Sequence, residues 1–211
     1  MILRKKGFTQ PFVKVDSHLR RAGFTLVELM IAVSLVGMIM LALSAVDMAS
    51  RKFLKTSDYE AKVQNNISPV LEMIVKDISL ASGQKSNPGI NLVSSSQIRA
   101  RVDRMYLPTP KTYSDDTWIE YNFASNQIQR KECSADINGA WTGSCAAPFT
   151  IASNVQACAF TRSIIPDPDT LKNPVKIILT ARLLANGSPP TPTNPEVTLE
   201  TSVFPLPSSM N

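Results

Sequence analysis

Arg20-Arg21-Ala22-Gly23-Phe24-Thr25-Leu26-Val27-Glu28-Leu29 sets a basic pair, a glycine and a single acid at the head of an apolar run that continues to Val46. Between Phe24 and Val46 the only charged side chain is Glu28, and as a helix the run would be roughly 34 Å long, enough to cross a bilayer. Asp47 and the pair Arg51-Lys52 end it. Upstream, residues 1–23 carry Arg4, Lys5, Lys6, Lys14, Arg20 and Arg21 against Asp16. An ordinary secretory signal would place a short apolar segment between that charge and a small-residue cleavage site; here the apolar stretch follows Gly23 instead. Positive charge ahead of a span favours a cytoplasmic amino terminus, so everything after about Asp47 is expected on the far side of the membrane.

Glu28 is the demanding residue. A carboxylate among Leu26, Val27, Leu29, Met30 and Ile31 costs on the order of a few kcal/mol in hydrocarbon unless it is partnered, protonated or near the interface. Taken alone, it can reach the headgroups from the first helical turn with favourable dipole placement, or it can meet a cation. Gly23 is small and conformationally free, which lets the chain extend into a protease site that a bulky side chain would block.

The ten residues together resemble the processing site of type IV prepilins. The resemblance implies that a prepilin peptidase cuts after Gly23 and methylates the new amino terminus at Phe24, leaving the apolar helix on the mature protein. It also implies that Glu28 meets the amino terminus of a neighbouring subunit and so sets register in a filament. The expected organisation is a cleaved basic leader over 1–23, a membrane-spanning and filament-core helix over 24–46, an amphipathic helix over 47–82 and a β-rich extracytoplasmic head over 83–211. Many major pilins carry a proline in the anchor helix, whereas this chain has none between Phe24 and Ser68, and Gly37 is its one weak point.

Removing the leader changes the charge reading. The full chain has 22 basic and 17 acidic residues, of which the leader holds 6 and 1, leaving 16 and 16. The basic balance therefore belongs to the orientation signal and gives no expectation of nucleic-acid binding, which needs a basic patch on the folded head. Arg99, Arg101 and Arg104 come closest to one. On an alternating strand Arg99 and Arg101 share a face, which reads as a solvated strand face.

Beyond the span, apolar residues from Val63 to Leu80 recur at spacings of three and four among Glu60, Lys62, Glu72, Lys76 and Asp77, predicting a helix with one packing face. Pro69 predicts a kink or restart and Gly83 the helix end. Gln97–Val102, Trp118–Phe123, Gln127–Lys131, Val155–Ile165, Val175–Leu184 and Val197–Phe204 predict strands of an antiparallel sheet. The fold class is α+β, pilin-like, with a long amino-terminal helix packed on that sheet. The tract Ser188-Pro189-Pro190-Thr191-Pro192-Thr193-Asn194-Pro195 reads as a stiff exposed loop.

Cys133, Cys145 and Cys158 allow three pairings. The turn-rich segment between Cys133 and Cys145 favours that pair, worth roughly 3 kcal/mol by chain-entropy arithmetic, with Cys158 left as a buried thiol. Three cysteines without a nearby histidine do not make a zinc site; His18, the one histidine, lies in the leader. No phosphate loop or nucleophile motif is present, and Asp115-Asp116 and Asp167-Pro168-Asp169 read as turn acids. The sequence predicts no enzyme, no metal, no cofactor and no small-molecule substrate.

Within the pilin superfamily, Leu71 to Gly83, Trp118 to Tyr121, Gln127 to Arg130, Val175 to Leu184 and Thr198 to Val203 resemble segments of PilW-like minor pilins and of the J-type minor pseudopilins of type II secretion. Glu28 separates the chain from K-type tip pseudopilins, which usually lack that acid. The implied function is a minor pilin that takes part in initiating type IV pilus assembly, at or near the tip. A type II secretion pseudopilin and a membrane-anchored adhesin or DNA-uptake subunit are the alternatives. The implied partners are prepilin peptidase, other minor and major pilins and the inner-membrane assembly platform. The implied location is a single-pass inner-membrane protein with a periplasmic head, later incorporated in the pilus.

Overall fold

The computed structural model describes residues 23–83, 88–103, 112–162, 174–184 and 189–205. The leader before Gly23, Arg104 and the Asp167-Pro168-Asp169 turn lie outside them. The chain falls into two compact units, residues 1–48 and 49–211.

Helix α1 (Leu26–Ser79, 54 residues) runs through Pro69 without a restart. Pro69 and Asn65, whose carbonyl loses its partner to the proline, both lie on the exposed side of the helix, where water can satisfy the freed oxygen. On the opposite side Val63, Ile67, Val70, Ile74 and Ile78 are buried and hold the helix across that point.

Among the described residues nine strands follow, in two antiparallel sheets rather than the single sheet expected. The first orders β1 (Ile90–Ser94), β2 (Gln97–Val102), β3 (Thr117–Ala124), β4 (Gln127–Ala135) and β5 (Trp141–Cys145), with β6 (Phe149–Ser153) also on β4. The second orders β7 (Val155–Arg162), β8 (Val175–Arg182) and β9 (Glu196–Val203). β4 is long enough to take two neighbours along one edge: Gln127 to Arg130 pair with β6, and Cys133 and Ala135 with β5. Ser125 and Asn126 close the β3–β4 hairpin, both at positive φ (50° and 61°), the two-residue turn whose twist suits paired strands. Within the proline tract, Thr191 and Asn194 bridge each other across a tight turn.

The core is built from the inward faces of both sheets and the buried side of α1. Ile98, Ala100, Ile119, Tyr121 and Ile128 come from the first sheet; Val155, Phe160, Ile177 and Leu179 from the second. One charged group enters it from the helix. The Asp77 carboxylate accepts from the Tyr121 hydroxyl at 2.6 Å and from Arg130 Nη2 at 3.1 Å. Arg130 in turn donates through Nη1 to Glu132 at 2.6 Å. Burial, and then the Asp77 carboxylate, push the Tyr121 hydroxyl above its ordinary range, so it stays a donor.

Removing one partner of a buried pair leaves an uncompensated charge. Asp77→Ala should lower stability by about 3–5 kcal/mol, read as a lower denaturant midpoint. Asp77→Leu with Arg130→Met should recover most of that loss. A loss under about 1 kcal/mol, the scale of exposed pairs, would show that the pair carries no structural load.

Candidate functional site

Gly23, Phe24 and Thr25 precede the helix and are exposed, Phe24 at 84 % of its full surface. A Cβ added at Gly23 would meet nothing within 4 Å. The chain's own packing therefore does not ask for glycine there, and the Gly23–Phe24 bond sits in non-helical, accessible backbone.

Thr25 is the cap of α1. Its hydroxyl oxygen accepts from the Glu28 backbone N–H at 3.2 Å, while Glu28 Oε2 accepts from the Thr25 backbone N–H at 2.9 Å and from its hydroxyl at 2.9 Å. This reciprocal capping box satisfies two of the donors that a helix start leaves unpaired. The sequence reading gave Glu28 a headgroup or an amino terminus for company and missed Thr25. The signal was present, since a threonine three residues before a glutamate at the head of an apolar run is a capping-box pattern. Only one carboxylate oxygen is used. Among the described residues Oε1 has no hydrogen-bond partner, which leaves one side of the anion for a cation.

After the cap, every residue from Leu26 to Lys55 is exposed. This is the one helix among the described residues long and apolar enough to cross a membrane. Leu29, Met30, Val33, Leu41 and Leu43 each expose more than half of their surface, far beyond what a water-soluble helix presents, so lipid or other helices must cover them. The hydroxyls inside the span make no outside demand: Ser34 donates to the Ile31 carbonyl at 2.8 Å and Ser44 to the Met40 carbonyl at 2.9 Å.

A second cluster occupies the outward face of the first sheet, where register puts Asn91, Arg99, Glu120 and Lys131 in one row and Arg101, Trp118, Cys133 and Cys145 in the next. Cys133 and Cys145 are joined, their Cα atoms 4.0 Å apart. The expectation of a solvated strand face fails for Arg101, which is fully buried. It ion-pairs with Asp116 at 3.2 Å and donates from Nη1 to the Gly139 carbonyl at 3.0 Å, the same oxygen that accepts from Trp118 Nε1 at 3.0 Å. Gly139 has φ +76°, and a Cβ there would collide with the Arg101 guanidinium. The loop between the cysteines thus folds back over Arg101 and carries Trp141 with it. In the first row, burial works against the Glu120 carboxylate, but hydrogen bonds from Lys131 and Arg99 outweigh it and hold its pKa below the ordinary value. Cys158 lies buried on β7, away from this face, and burial pushes its thiol up to about 12.

Residues 18–44 match the prokaryotic N-terminal methylation motif. A search of curated proteins finds no match to the chain. The motif, with the long helix and antiparallel sheets, supports placement in the type IV pilin-like superfamily and processing by prepilin peptidase. It fits membrane anchoring through the apolar helix, assembly with other pilins and a structural subunit rather than an enzyme.

Two measurements test these groups. Thr25→Ala removes the cap acceptor, and backbone amide exchange at Glu28 in micelles should become about fivefold faster, equivalent to about 1 kcal/mol; unchanged exchange would remove the capping box. Asp116 titrates high, at about 6, because burial outweighs the Arg101 charge and Asp103 and Asp115 add to it. Its native pKa exceeds the unfolded value of about 3.9, so its contribution to stability is full below pH 4 and is lost as pH rises through about 6. The stability difference between wild type and Asp116→Asn should therefore move against wild type from pH 4 to 7, and a pH-independent difference would contradict this.

Proposed function

We propose that this chain is a minor pilin that takes part in initiating type IV pilus assembly and resides at or near the pilus tip. The observation that carries the reading is an exposed, non-helical Gly23–Phe24 bond placed directly before a capped apolar helix. Hydrolysis of that bond frees the Phe24 amine, which the peptidase then methylates; a methylated amine keeps its positive charge. Glu28, with Oε1 open, receives such an amine from a neighbouring subunit and fixes axial register, while Thr25 holds the carboxylate at the helix head. The leader 1–23 is removed, 24–46 joins the membrane and then the filament core, 47–82 carries the helix into the head, and 83–211 selects neighbours in the periplasm. The assembly platform extracts the mature chain from the inner membrane. What supports the minor-subunit assignment is the resemblance of Leu71 to Gly83 and of the β3–β4 hairpin to PilW-like proteins. In this reading the work is packing, with no substrate, cofactor or metal.

The test is intact mass and amino-terminal analysis of protein from membranes and from sheared pili, with and without prepilin peptidase. An N-methylated Phe24 dependent on the peptidase, and loss of surface pili on deletion, are expected. Gly23→Val should leave the leader attached while the head unfolds at the wild-type temperature, since position 23 has open space around it. Blocked enzyme export with normal piliation would place the protein in a type II secretion system instead; cleavage elsewhere would overturn the pilin reading.

A further inference from the structure

Residues 134–144 leave Cys133 near the end of β4 and return along β5 to Cys145, crossing over Arg101 on the way. Two kinds of contact hold this loop, and they do different work. Within it, Asp136 Oδ1 accepts from the backbone N–H groups of Asn138 at 2.8 Å and Ala140 at 2.6 Å, which shapes the turn wherever the turn lies. Its position over the sheet rests on the Gly139 carbonyl, which takes Arg101 and Trp118, and on Trp141, half-buried against the Arg99 guanidinium at 4.0 Å and the Lys131 ammonium at 5.5 Å.

Little apolar surface is buried in return. Ile137 is 80 % exposed, and Asn138, Ala140, Thr142, Gly143 and Ser144 are exposed as well. β5 pairs with β4 at two positions, Ala135 with Trp141 and Cys133 with Cys145, across an irregularity in the ladder. Ordering a segment of this length costs more than two hydrogen bonds and one stacked ring return. The cystine restricts the open loop in advance, and so decides whether it closes.

The cystine is accessible from one side. Cys133 is 2 % exposed, whereas Cys145 is half-buried next to the exposed Gly143 and Ser144. A thiolate of a dithiol attacks Cys145 Sγ, forming a mixed disulfide and releasing Cys133 as its thiolate; the second thiol of the reagent then displaces Cys145. One S–S bond breaks in the protein and one forms in the reagent, and two electrons and two protons pass to Cys133 and Cys145.

We propose that the Cys133–Cys145 cystine is a redox latch: oxidised, it keeps the loop closed over Arg101 and Trp118; reduced, the loop lifts and both side chains meet water while the rest of the head stays folded. In the open state Arg101 keeps Asp116 and the Ser82 carbonyl, at 3.2 and 3.3 Å in the closed form, so opening strands no charge and leaves the chain after α1 tied to the first sheet. The outward face of that sheet thus has two surfaces, chosen by the thiol–disulfide balance around it.

Trp118 and Trp141 are the chain's two tryptophans, and both sit at the latch, Trp118 only 4 % exposed. The full-length protein in detergent micelles would be treated with excess dithiothreitol and followed by tryptophan emission, acrylamide quenching and amide exchange. A red shift, stronger quenching and exchange at Gly139 and Ala140 at least about tenfold faster are expected, with β8 amides unchanged and full reversal by oxidised glutathione. Trp141→Phe should keep the red shift, now from Trp118 alone. The double variant Cys133→Ser with Cys145→Ser should show the open-state signals without reductant and respond no further to it; reduction of the wild type keeps the test independent of that variant's folding. A cystine that resists the dithiol, unchanged emission and exchange after complete reduction, or β8 exchange rising by the same factor as Gly139 would each overturn the proposal, the last by making the disulfide a staple of the whole head.

Discussion

Asp77 enters the head among Ile74, Ile78 and the inward face of the first sheet, a setting in which an unpaired carboxylate would cost several kcal/mol. Tyr121 and Arg130 meet it there, and both come from the β3–β4 hairpin. Apolar packing between helix and sheet is tolerant of small slides, because Val, Ile and Leu side chains find alternative neighbours at similar energy. A buried acid with two fixed partners is not tolerant. Sliding the helix by one residue turns Asp77 away by about 100° and strands both the acid and the arginine. The seating of the helix, and hence which strands it covers, follows from that constraint.

The two ends of α1 use carboxylates by opposite rules. Near the start, Glu28 lies in the open, and among the described residues only Thr25 holds it. Near the end, Asp77 is enclosed, and donors from Tyr121 and Arg130 converge on its Oδ2. The first arrangement suits a group that must still find a partner outside its own chain; the second suits one whose partners are already in place. Between them the helix passes from complete exposure to burial, and the outer surface of the first stretch is the part that only lipid or other helices can cover.

Much of the architecture was legible because it obeys simple periodicities. β2 emerges at Gln97–Val102 as its alternation implies, and the long helix follows from an unbroken apolar run leading into a three-and-four pattern. β1, β5 and β6 were not legible: Asn91 and Ser94, Gly143 and Ser144, and the brevity of Phe149–Ser153 weaken strand signals that pairing with longer neighbours supplies. The division into two sheets was hidden at Asn154, a single left-handed residue between β6 and β7. At the amino terminus Gly23, Phe24 and Glu28 stand out by residue type and spacing, and the Thr25 cap was equally readable from its spacing to Glu28. The outward cluster was misread because arginine on an alternating strand ordinarily means solvent, and nothing local announces that residues 134–144 fold back to enclose Arg101.

Gly139 and Gly23 make a contrasting pair. A substitution at Gly139 meets a buried guanidinium and a backbone angle that few side chains accept, so a survey of variants scored by folding or abundance would mark the position strongly. The same survey would pass over Gly23 in silence, because its surroundings within the chain are empty. Any intolerance at that position has to be imposed by another molecule, and comparing variant effects on folding with effects on processing would separate residues that answer to this protein's interior from those that answer to a protease.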